Sequence, residues 1–368
     1  MPRPPTPLPS SLSDAFSVAQ ARRAGVSAGR MRARDLETPF RGVRVRSAGR
    51  GQREPAPREH HPDDVRRLER GRTERHGRQP TPNDRRDREQ MRDAHPREQA
   101  ADAHVVLATA YATAMPPDTV FSHRTAALIH GLPVPVPSLL DVSAIAPRRA
   151  SRAAGVRGRQ LHPALIATRS VSGLIVCDPA TTWAQLGGLV GASLTLDDLV
   201  IVGDAIVRIP RLRGGHAGEP RHALARIADL CAATTVGRRA GAAALREALD
   251  LIRLGSSSPG ETLARLAIIR AGLPEPELDV EILGEEGALV GIADLAYRLF
   301  RVMAEYEGDQ HRVDARQWNR DIDKYAACDS LGWIVVRITA AHLRSGAAVA
   351  RIRAALVRRG WEPASPDA

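Results

Sequence analysis

The most regular alternation of apolar and polar residues in this 368-residue chain lies in its last third. A helical segment with Pro259 near its start and Gly272 just past its end precedes three alternating stretches, LDVEIL, ALVGIADLAY and FRVMAEYE, which predict β-strands. A helix over ARQWNRDIDKYAACDSL, a strand WIVVRIT and a closing helix AAVARIRAALVRR follow. The pattern therefore predicts an α/β domain of order αβββαβα over residues 255–360.

Residues 101–254 are predicted to form a second, mixed α/β domain. Apolar runs predict strands at LLDVSAIA, VRGRQLH and SGLIVCD, and helices at HVVLATAYATA, PATTWAQLGGLV, LDDLVIVGDAIV, RHALARIADLCAA and AGAAALREALDLIRLG. One more helix is predicted in FSHRTAALIHGL, with Ser122 as N-cap and Gly131 as stop. A structural or surface role is favoured for its His123 and His130, because no third metal ligand is evident.

Two short helices joined by a tight turn are predicted within residues 1–46. Ser17 can cap a helix VAQARRA, Gly25 allows the turn, and Ser27 can cap a second helix AGRMRARDL. The alternating run FRGVRV that follows is typical of the wing strand of a winged helix-turn-helix. An ordinary helical hairpin is the alternative, since arginine is frequent throughout this chain.

The second of these helices carries the candidate nucleic-acid contacts. Arg30, Arg32 and Arg34 are placed to reach phosphates or base edges of double-stranded DNA. In the segment that follows, residues 47–100, large apolar residues almost vanish while Arg, Asp, Glu, Pro and His crowd together. It cannot bury enough surface to offset its ordering entropy, which predicts a disordered Arg-rich linker. A solvated insertion is favoured over a loose electrostatic contact with DNA.

Composition supports a nucleic-acid partner without requiring one. The formal net charge of +11 favours polyanions, but Lys324 is the only lysine, so the preponderance of arginine equally indicates codon bias. The three cysteines, Cys177, Cys231 and Cys328, lie far apart, which argues against a zinc site or a disulfide framework. We expect a cytoplasmic protein without membrane contact, because no signal peptide or long uninterrupted apolar segment is evident.

Acidic residues punctuate two predicted strands of the last domain, where buried charge is costly. Alternation along FRVMAEYE places Glu305 and Glu307 on one face, about 6–7 Å apart, and an antiparallel neighbour would bring Asp294 close to Glu305. Carboxylate oxygens completed by water are the ligands that Mg²⁺ prefers. Such a metal activates water and stabilises charge on a scissile phosphate. The sequence thus predicts a phosphodiesterase site that uses Mg²⁺ (or Mn²⁺).

Other residues are candidates for the same site. Gly308 ends the third strand, so His311 would emerge at its mouth, placed for general acid or base work. Glu261, in the first turn of the domain's first helix, either joins the metal or merely complements the helix dipole.

The next helix offers two cations. Arg320 and Lys324 are one turn apart and could meet phosphate oxygens. For Lys324, a surface ion pair with Asp321 is an equally favoured interpretation.

Asp294, ten intervening residues and then Glu305-x-Glu307, inside an αβββαβα order, resembles the restriction-endonuclease-like PD-(D/E)XK superfamily. The run EYEGDQH with RDIDKY and GWIVVRIT is more specifically similar to a domain-of-unknown-function group related to very-short-patch repair endonucleases. The resemblance covers roughly residues 256–345. It implies an endonuclease-like fold with Asp294 and Glu305 as metal ligands. It also supports the assignment of Glu307, His311 and Glu261 to the same site.

One departure from the superfamily pattern bears on activity. Glu307 stands where the wider superfamily has its catalytic lysine, and where this group more often has aspartate. Either His311 or Lys324 must compensate, or the domain is catalytically silent.

The upstream runs FSVAQARRAGVSAGRMRARDLETPFRGVRV, FSHRTAALIHGLPVP and DLVIVGDAIVR are similar to actinobacterial proteins with an AbiEi-type antitoxin domain of type IV toxin-antitoxin systems. That resemblance implies a winged helix followed by a mixed α/β domain. Two functional hypotheses follow. The first is a DNA-binding protein with a metal-dependent endonuclease domain. The second is a non-catalytic DNA-binding regulator of antitoxin type that retains an inactive nuclease fold.

Overall fold

The computed structural model describes residues 5–46, 96–212, 218–219, 222–285, 287–307 and 315–363, with only the backbone for residues 315–321. Helices and three sheets, each mixed or antiparallel, make up this part of the chain, which confirms the predicted α/β class. The chain divides into one unit of residues 1–96 with 109–115 and a second of residues 97–108 with 116–368. Residues 47–95, most of the predicted linker, lie outside the description.

The first unit contains a three-stranded antiparallel sheet of order β1-β3-β2. Its elements are β1 (Ala15–Ser17), α1 (Val18–Arg23), a 3-10 turn (Arg30–Arg32), β2 (Leu36–Glu37) and β3 (Val43–Arg46). Ser17 caps α1 as predicted, since its hydroxyl accepts the Gln20 N–H at 3.1 Å and Gln20 Oε1 accepts the Ser17 N–H at 2.7 Å. The core of this unit is small and lies under α1 and the turn, around Phe16, Ala21 and Met31.

The predicted second helix, AGRMRARDL, is instead a single 3-10 turn. Ser27 begins it, because the Ser27 hydroxyl accepts the Arg30 N–H at 3.2 Å. Two contacts end it after one turn. Arg44 Nε donates at 2.8 Å to the Met31 carbonyl, which a longer helix would bond internally, and Leu36 pairs with β3 in extended backbone. The expected wing strand is present as β3.

After the linker the chain enters α2 (Pro96–Ala112), so residues 96–100, predicted as linker, are helical. A five-stranded sheet of order β6-β5-β4-β8-β7 follows, with β5 parallel to β6, β4 parallel to β8 and the other pairs antiparallel. Its strands are β4 (Thr119–Phe121), β5 (Leu140–Ile145), β6 (Val156–Leu161), β7 (Thr168–Val171) and β8 (Leu174–Cys177). Of these, β4 and β7 were not predicted, because β4 has only three residues and β7, with the sequence TRSV, has only one apolar residue.

The helices of this middle part match the predicted segments closely. They are α3 (His123–Ile129), α4 (Pro179–Leu186), α5 (Leu196–Val207), α6 (Ile227–Thr235) and α7 (Ala242–Leu251). They enclose a core around Trp183, whose indole N–H donates to the Leu199 carbonyl at 2.9 Å. No helix in the described ranges combines the length and the apolar character that a membrane crossing requires.

The last part has the predicted order αβββαβα, with one extra short helix, α10, before the closing helix. Its elements are α8 (Pro259–Arg270), β9 (Glu277–Leu283), β10 (Leu289–Tyr297), β11 (Val302–Glu307), α9 (Ala315–Ser330), β12 (Ile334–Thr339), α10 (Ala340–Arg344) and α11 (Ala347–Arg358). The sheet order is β12-β11-β10-β9, with β11 and β12 parallel and the other pairs antiparallel. A parallel pair needs a crossover, and α9 supplies it.

The alternation along β11 sends side chains to two cores, as predicted. Val302 and Ala304 pack in one cluster with α8 and α11, while Met303 packs in another with Cys328 of α9. Phe300 was predicted on the same strand but lies in a 3-10 turn, and strand geometry begins only after Arg301, whose backbone is left-handed (φ 49°).

Helix α8 is buried between the middle core and the C-terminal sheet. Leu266 belongs to the middle core, while Ala264 and Ile268 belong to the core against β11. Between them Arg265, with no exposed surface, donates from Nη2 to Asp204 Oδ2 of α5 at 3.1 Å and to the Leu251 carbonyl at 2.7 Å. A buried ion pair therefore joins α8 to the helices of the middle part.

Arg265→Met is expected to lower the free energy of unfolding by about 3–5 kcal/mol, because Asp204 would keep a buried charge without its partner. Urea denaturation of the full chain measures this. The exposed Arg246→Met on α7 is the matched control and should change stability by no more than about 0.5 kcal/mol. A loss below about 1 kcal/mol for Arg265→Met would contradict the structural role of the pair.

Candidate functional site

Beside the C-terminal sheet, Asp294 acts electrostatically on two other carboxylates that the sequence singles out, Glu261 and Glu305. β10 and β11 pair antiparallel in the register that puts Asp294 opposite Glu305. Asp294 Oδ2 accepts the Tyr306 N–H at 2.8 Å, which fixes it against β11. The charge of Asp294 raises the pKa of both glutamates, which identifies it as the central member of the group.

Strand pairing is irregular beside Asp294. The β9–β10 pairing continues on both sides of Asp294, but Asp279 at the opposite position takes left-handed backbone, φ 55°. Arg211 stabilises this conformation by donating from Nε to the Asp279 carboxylate and from Nη2 to its carbonyl, each at 2.7 Å. Left-handed backbone at a non-glycine residue is strained, and such strain clusters at functional sites.

Glu261 reaches the group because α8 begins next to β11. Pro259 occupies the first turn of the helix, as predicted, and Ser258 caps it. The Glu261 carboxylate accepts the Ser257 N–H at 2.6 Å and the Ser258 hydroxyl at 2.9 Å. Gly260 permits this approach, since a Cβ there would lie 2.0 Å from the Tyr306 ring. Glu261 therefore both completes the helix cap and faces Asp294.

The glutamates hold protons more tightly than free carboxyls do. Burial first, and then the charge of Asp294, raises the pKa of Glu305 to about 8 and that of Glu261 to about 7. Hydrogen bonds from Ser257 and Ser258 offset part of the rise at Glu261. Among the described atoms, Glu305 Oε1 is buried without a hydrogen-bond partner. A buried carboxyl oxygen in that state is suited to a cation, whose binding would displace the carboxyl proton.

Lys324 of α9 contacts the site directly. Its Nζ donates to Glu305 Oε2 at 2.8 Å and to the Ile292 carbonyl at 2.5 Å, so its partner in the described structure is Glu305. Gly291 makes room for the lysine stem, because a Cβ there would lie 2.8 Å from Lys324 Cγ. A narrow passage over a strand suits the slim lysine stem better than a planar guanidinium. The only lysine of the chain therefore lies at the candidate site.

Glu307 is held by a different set of contacts. Its Oε1 accepts from Arg337 Nε of β12 at 2.7 Å and from the Tyr325 hydroxyl at 3.1 Å. The Arg337 guanidinium also stacks over the Tyr325 ring, 5.2 Å from its centroid. Glu307 contributes only a minor part of the pKa rise at Glu305. Its role as a metal ligand stays a prediction.

The donors fit a hard divalent cation in their chemistry. They are carboxylate oxygens, one of them buried without a partner, and their mutual repulsion would be relieved by positive charge. Within the described ranges, however, no three His, Cys, Asp or Glu side chains form a ready-made metal-ligand group. Lys324 supplies the positive charge beside Glu305 in this structure.

The predicted nucleic-acid contacts divide into two kinds. Arg30 is occupied, since its guanidinium makes a two-pronged pair with Asp35 at 2.9 and 2.7 Å and also donates to the Thr6 carbonyl. Its predicted role on DNA is therefore not supported. Arg32 and Arg34 are exposed. His311 and the side chain of Arg320 lie outside the described residues.

Several contributors went unrecognised in the sequence. Gly260 and Gly291 act by lacking a side chain, and a glycine inside a strand pattern is the available signal for close approach. Arg337, the arginine of the apolar strand β12, did not stand out because arginine is frequent throughout the chain. Its pairing with Glu307 depends on the parallel register of β12 with β11, which no local pattern reveals.

Glu305→Gln is expected to flatten the pH dependence of stability. With the folded pKa of Glu305 near 8 and the unfolded value near 4.5, the folded protein binds more protons between these limits, so stability falls as pH rises through that window. Urea denaturation from about pH 5 to about pH 8 with a chelator present measures the slope. Glu277→Gln, on a surface pair with Arg298, is the matched control and should keep the wild-type slope.

Comparison with known proteins places the chain near two relatives. Uncharacterized proteins of Mycobacterium tuberculosis strains CDC 1551 and H37Rv are each 36% identical to it over 108 residues, which is 29% of this chain. The match spans 39% of the length of each relative. No family model matches the chain, and no solved structure matches it. The chain is thus similar over a limited segment to proteins whose names state no activity.

Proposed function

We propose that this chain is a cytoplasmic DNA-binding protein whose C-terminal domain hydrolyses phosphodiester bonds with Mg²⁺ or Mn²⁺. The observation that carries the proposal is the group of Glu261, Asp294 and Glu305, in which two carboxyls are almost fully buried and an oxygen of Glu305 has no partner among the described atoms. Burying mutually repelling carboxylates costs several kcal/mol unless they serve a cation or a basic ligand. The resemblance to the restriction-endonuclease-like superfamily supports the same conclusion.

Each residue has a defined task in this proposal. Asp294 and Glu305 would hold the divalent cation, with Glu261 as a third carboxylate and Glu307 behind them. The cation supplies an activated water and neutralises charge on the scissile phosphate. The backbone N–H of Ser257 and the hydroxyl of Ser258 hold Glu261, and the N–H of Tyr306 orients Asp294.

Lys324 is the strongest candidate to replace the catalytic lysine that the superfamily carries on the strand. The strand position is taken by Glu307, but Lys324 brings its ammonium to Glu305 from α9 instead. There it orients the Glu305 carboxylate and presents positive charge to an approaching phosphate. His311 remains a candidate general acid or base.

The full chain is expected to nick or cut supercoiled plasmid in the presence of Mg²⁺ or Mn²⁺. Asp294→Ala, Glu305→Gln and Lys324→Met should each lower the rate by roughly 100-fold or more, since each removes charge stabilisation at the reacting phosphate. The surface substitution Glu277→Gln should leave the rate unchanged. Cutting without added divalent ions, equal in the variants, would overturn the proposal.

A second candidate is a non-catalytic DNA-binding regulator of antitoxin type. The specific observation in its favour is that Lys324 and Arg337 already pair with Glu305 and Glu307, so the two strand glutamates are balanced without a metal. Binding would then depend on the first unit, where Arg32 and Arg34 are exposed.

On this second candidate, replacing Arg32 and Arg34 together by Ala should weaken binding to promoter DNA. The dependence of affinity on salt should also become shallower by about two counterions, one per lost phosphate contact. Mobility-shift titration at several salt concentrations measures both. Arg30→Ala serves as a comparison, because its guanidinium is engaged by Asp35. Unchanged binding after removal of residues 1–46 would exclude this mode.

A further inference from the structure

A second charged cluster lies in the middle sheet and belongs to no role assigned above. Asp141 on β5 is fully buried, and in the parallel register with β6 Arg157 lies opposite it and Arg159 lies two residues further along. Arg124, in the first turn of α3, approaches from the helix side and is also buried. One carboxylate is thus surrounded by three guanidinium groups, two from β6 and one from α3.

The single carboxylate of Asp141 does not satisfy all three arginines. Asp141 Oδ1 accepts from Arg159 Nη1 at 2.8 Å and lies 3.6 Å from Arg157 Nη1. Arg124 Nε lies 4.0 Å from Asp141 Oδ2, and neither atom has a hydrogen-bond partner in the described structure. Only Arg159 makes a full charge-assisted hydrogen bond to the acid. Buried or half-buried cations in such excess attract an anion.

The neighbouring polar side chains add no charge to the three arginines and Asp141. The His123 ring hydrogen bonds with the Ser122 hydroxyl at 3.0 Å, and burial followed by the charges of the three arginines lowers the pKa of His123 to about 3, so it is neutral. His104 pairs with the Thr125 hydroxyl at 2.9 Å, and burial lowers its pKa too. The cluster keeps an excess of two positive charges over Asp141.

The cluster is open to solvent on one side. The side chains of Arg157 and Arg159 are 36% and 27% exposed, whereas those of Arg124 and Asp141 form the buried floor. The planar forks of arginine match the tetrahedral oxygens of phosphate.

We propose that Arg124, Arg157 and Arg159 form a binding site for a phosphate group. Asp141 sets the positions of the arginines while leaving them a net positive charge. The site goes beyond the nuclease proposal and does not depend on it. Its ligand is either free phosphate, including that of a mononucleotide, or a phosphodiester of nucleic acid.

Calorimetric titration of the full chain with inorganic phosphate, at constant ionic strength and with a chelator present, tests the site. Saturable binding is expected, and Arg157→Gln should weaken it by on the order of tenfold, since it removes one charge-assisted contact. Arg159 still pairs with Asp141 in that variant, so it should fold, which thermal unfolding verifies. Arg152→Gln, an exposed arginine nearby on the chain, is the matched control and should bind phosphate like the wild type.

Absence of saturable binding, or an equal loss in Arg152→Gln, would overturn the proposal. Titration with a short DNA duplex identifies the source of the ligand. If Arg157→Gln weakens DNA binding in parallel with phosphate binding, the ligand is a nucleic-acid backbone. If only phosphate binding falls, the ligand is free phosphate or a mononucleotide.

Discussion

The buried ion pair between Asp204 and Arg265 is the constraint on which the candidate site depends. Asp204 also accepts the Thr262 hydroxyl at 2.8 Å and the Arg253 N–H at 2.8 Å, so one carboxylate fixes two positions of α8 and the turn before that helix. Glu261 directly precedes Thr262. By bonding Thr262 and Arg265, Asp204 of α5 therefore sets where Glu261 lies against the C-terminal sheet. Removing one partner of such a buried pair leaves the other charge uncompensated, so the pair restricts how α8 can pack.

The carboxylate group at the sheet follows a different logic from this structural pair. Burial raises the pKa of both Asp204 and Glu305, to about 8 at Glu305. Both oxygens of Asp204 accept hydrogen bonds, whereas Glu305 Oε1 has no partner among the described atoms. Burial without full compensation destabilises the fold locally, and evolution tolerates such cost mainly where ligands bind. The lone lysine in a chain that otherwise uses arginine is consistent with selection at that position.

Much of the secondary structure could be predicted because it is local. The αβββαβα order and the two faces of β11 followed from alternation alone. The predicted second helix of the first unit was wrong. Arg44 binds the Met31 carbonyl and β3 pairs with Leu36, and both partners are distant in sequence, so no local pattern shows them. The strand β4 has too few residues for a period to appear, and β7 has too few apolar residues. Among the predicted DNA contacts, Arg30 is paired with a nearby carboxylate, Asp35, which the sequence reading did not anticipate, and its role on DNA stays a prediction.

The sequence by itself determined which carboxylates share a strand face, since side-chain direction has a period of two in any strand. It placed Asp294 near Glu305 on the condition that their strands pair antiparallel, which the structure meets. Only the tertiary structure decided that Lys324 reaches Glu305, that Glu261 faces Asp294, and that three arginines converge on Asp141. These partners come from separate elements, and their meeting depends on how helices pack against sheets. Two glycines without side chains, Gly260 and Gly291, permit two of these approaches.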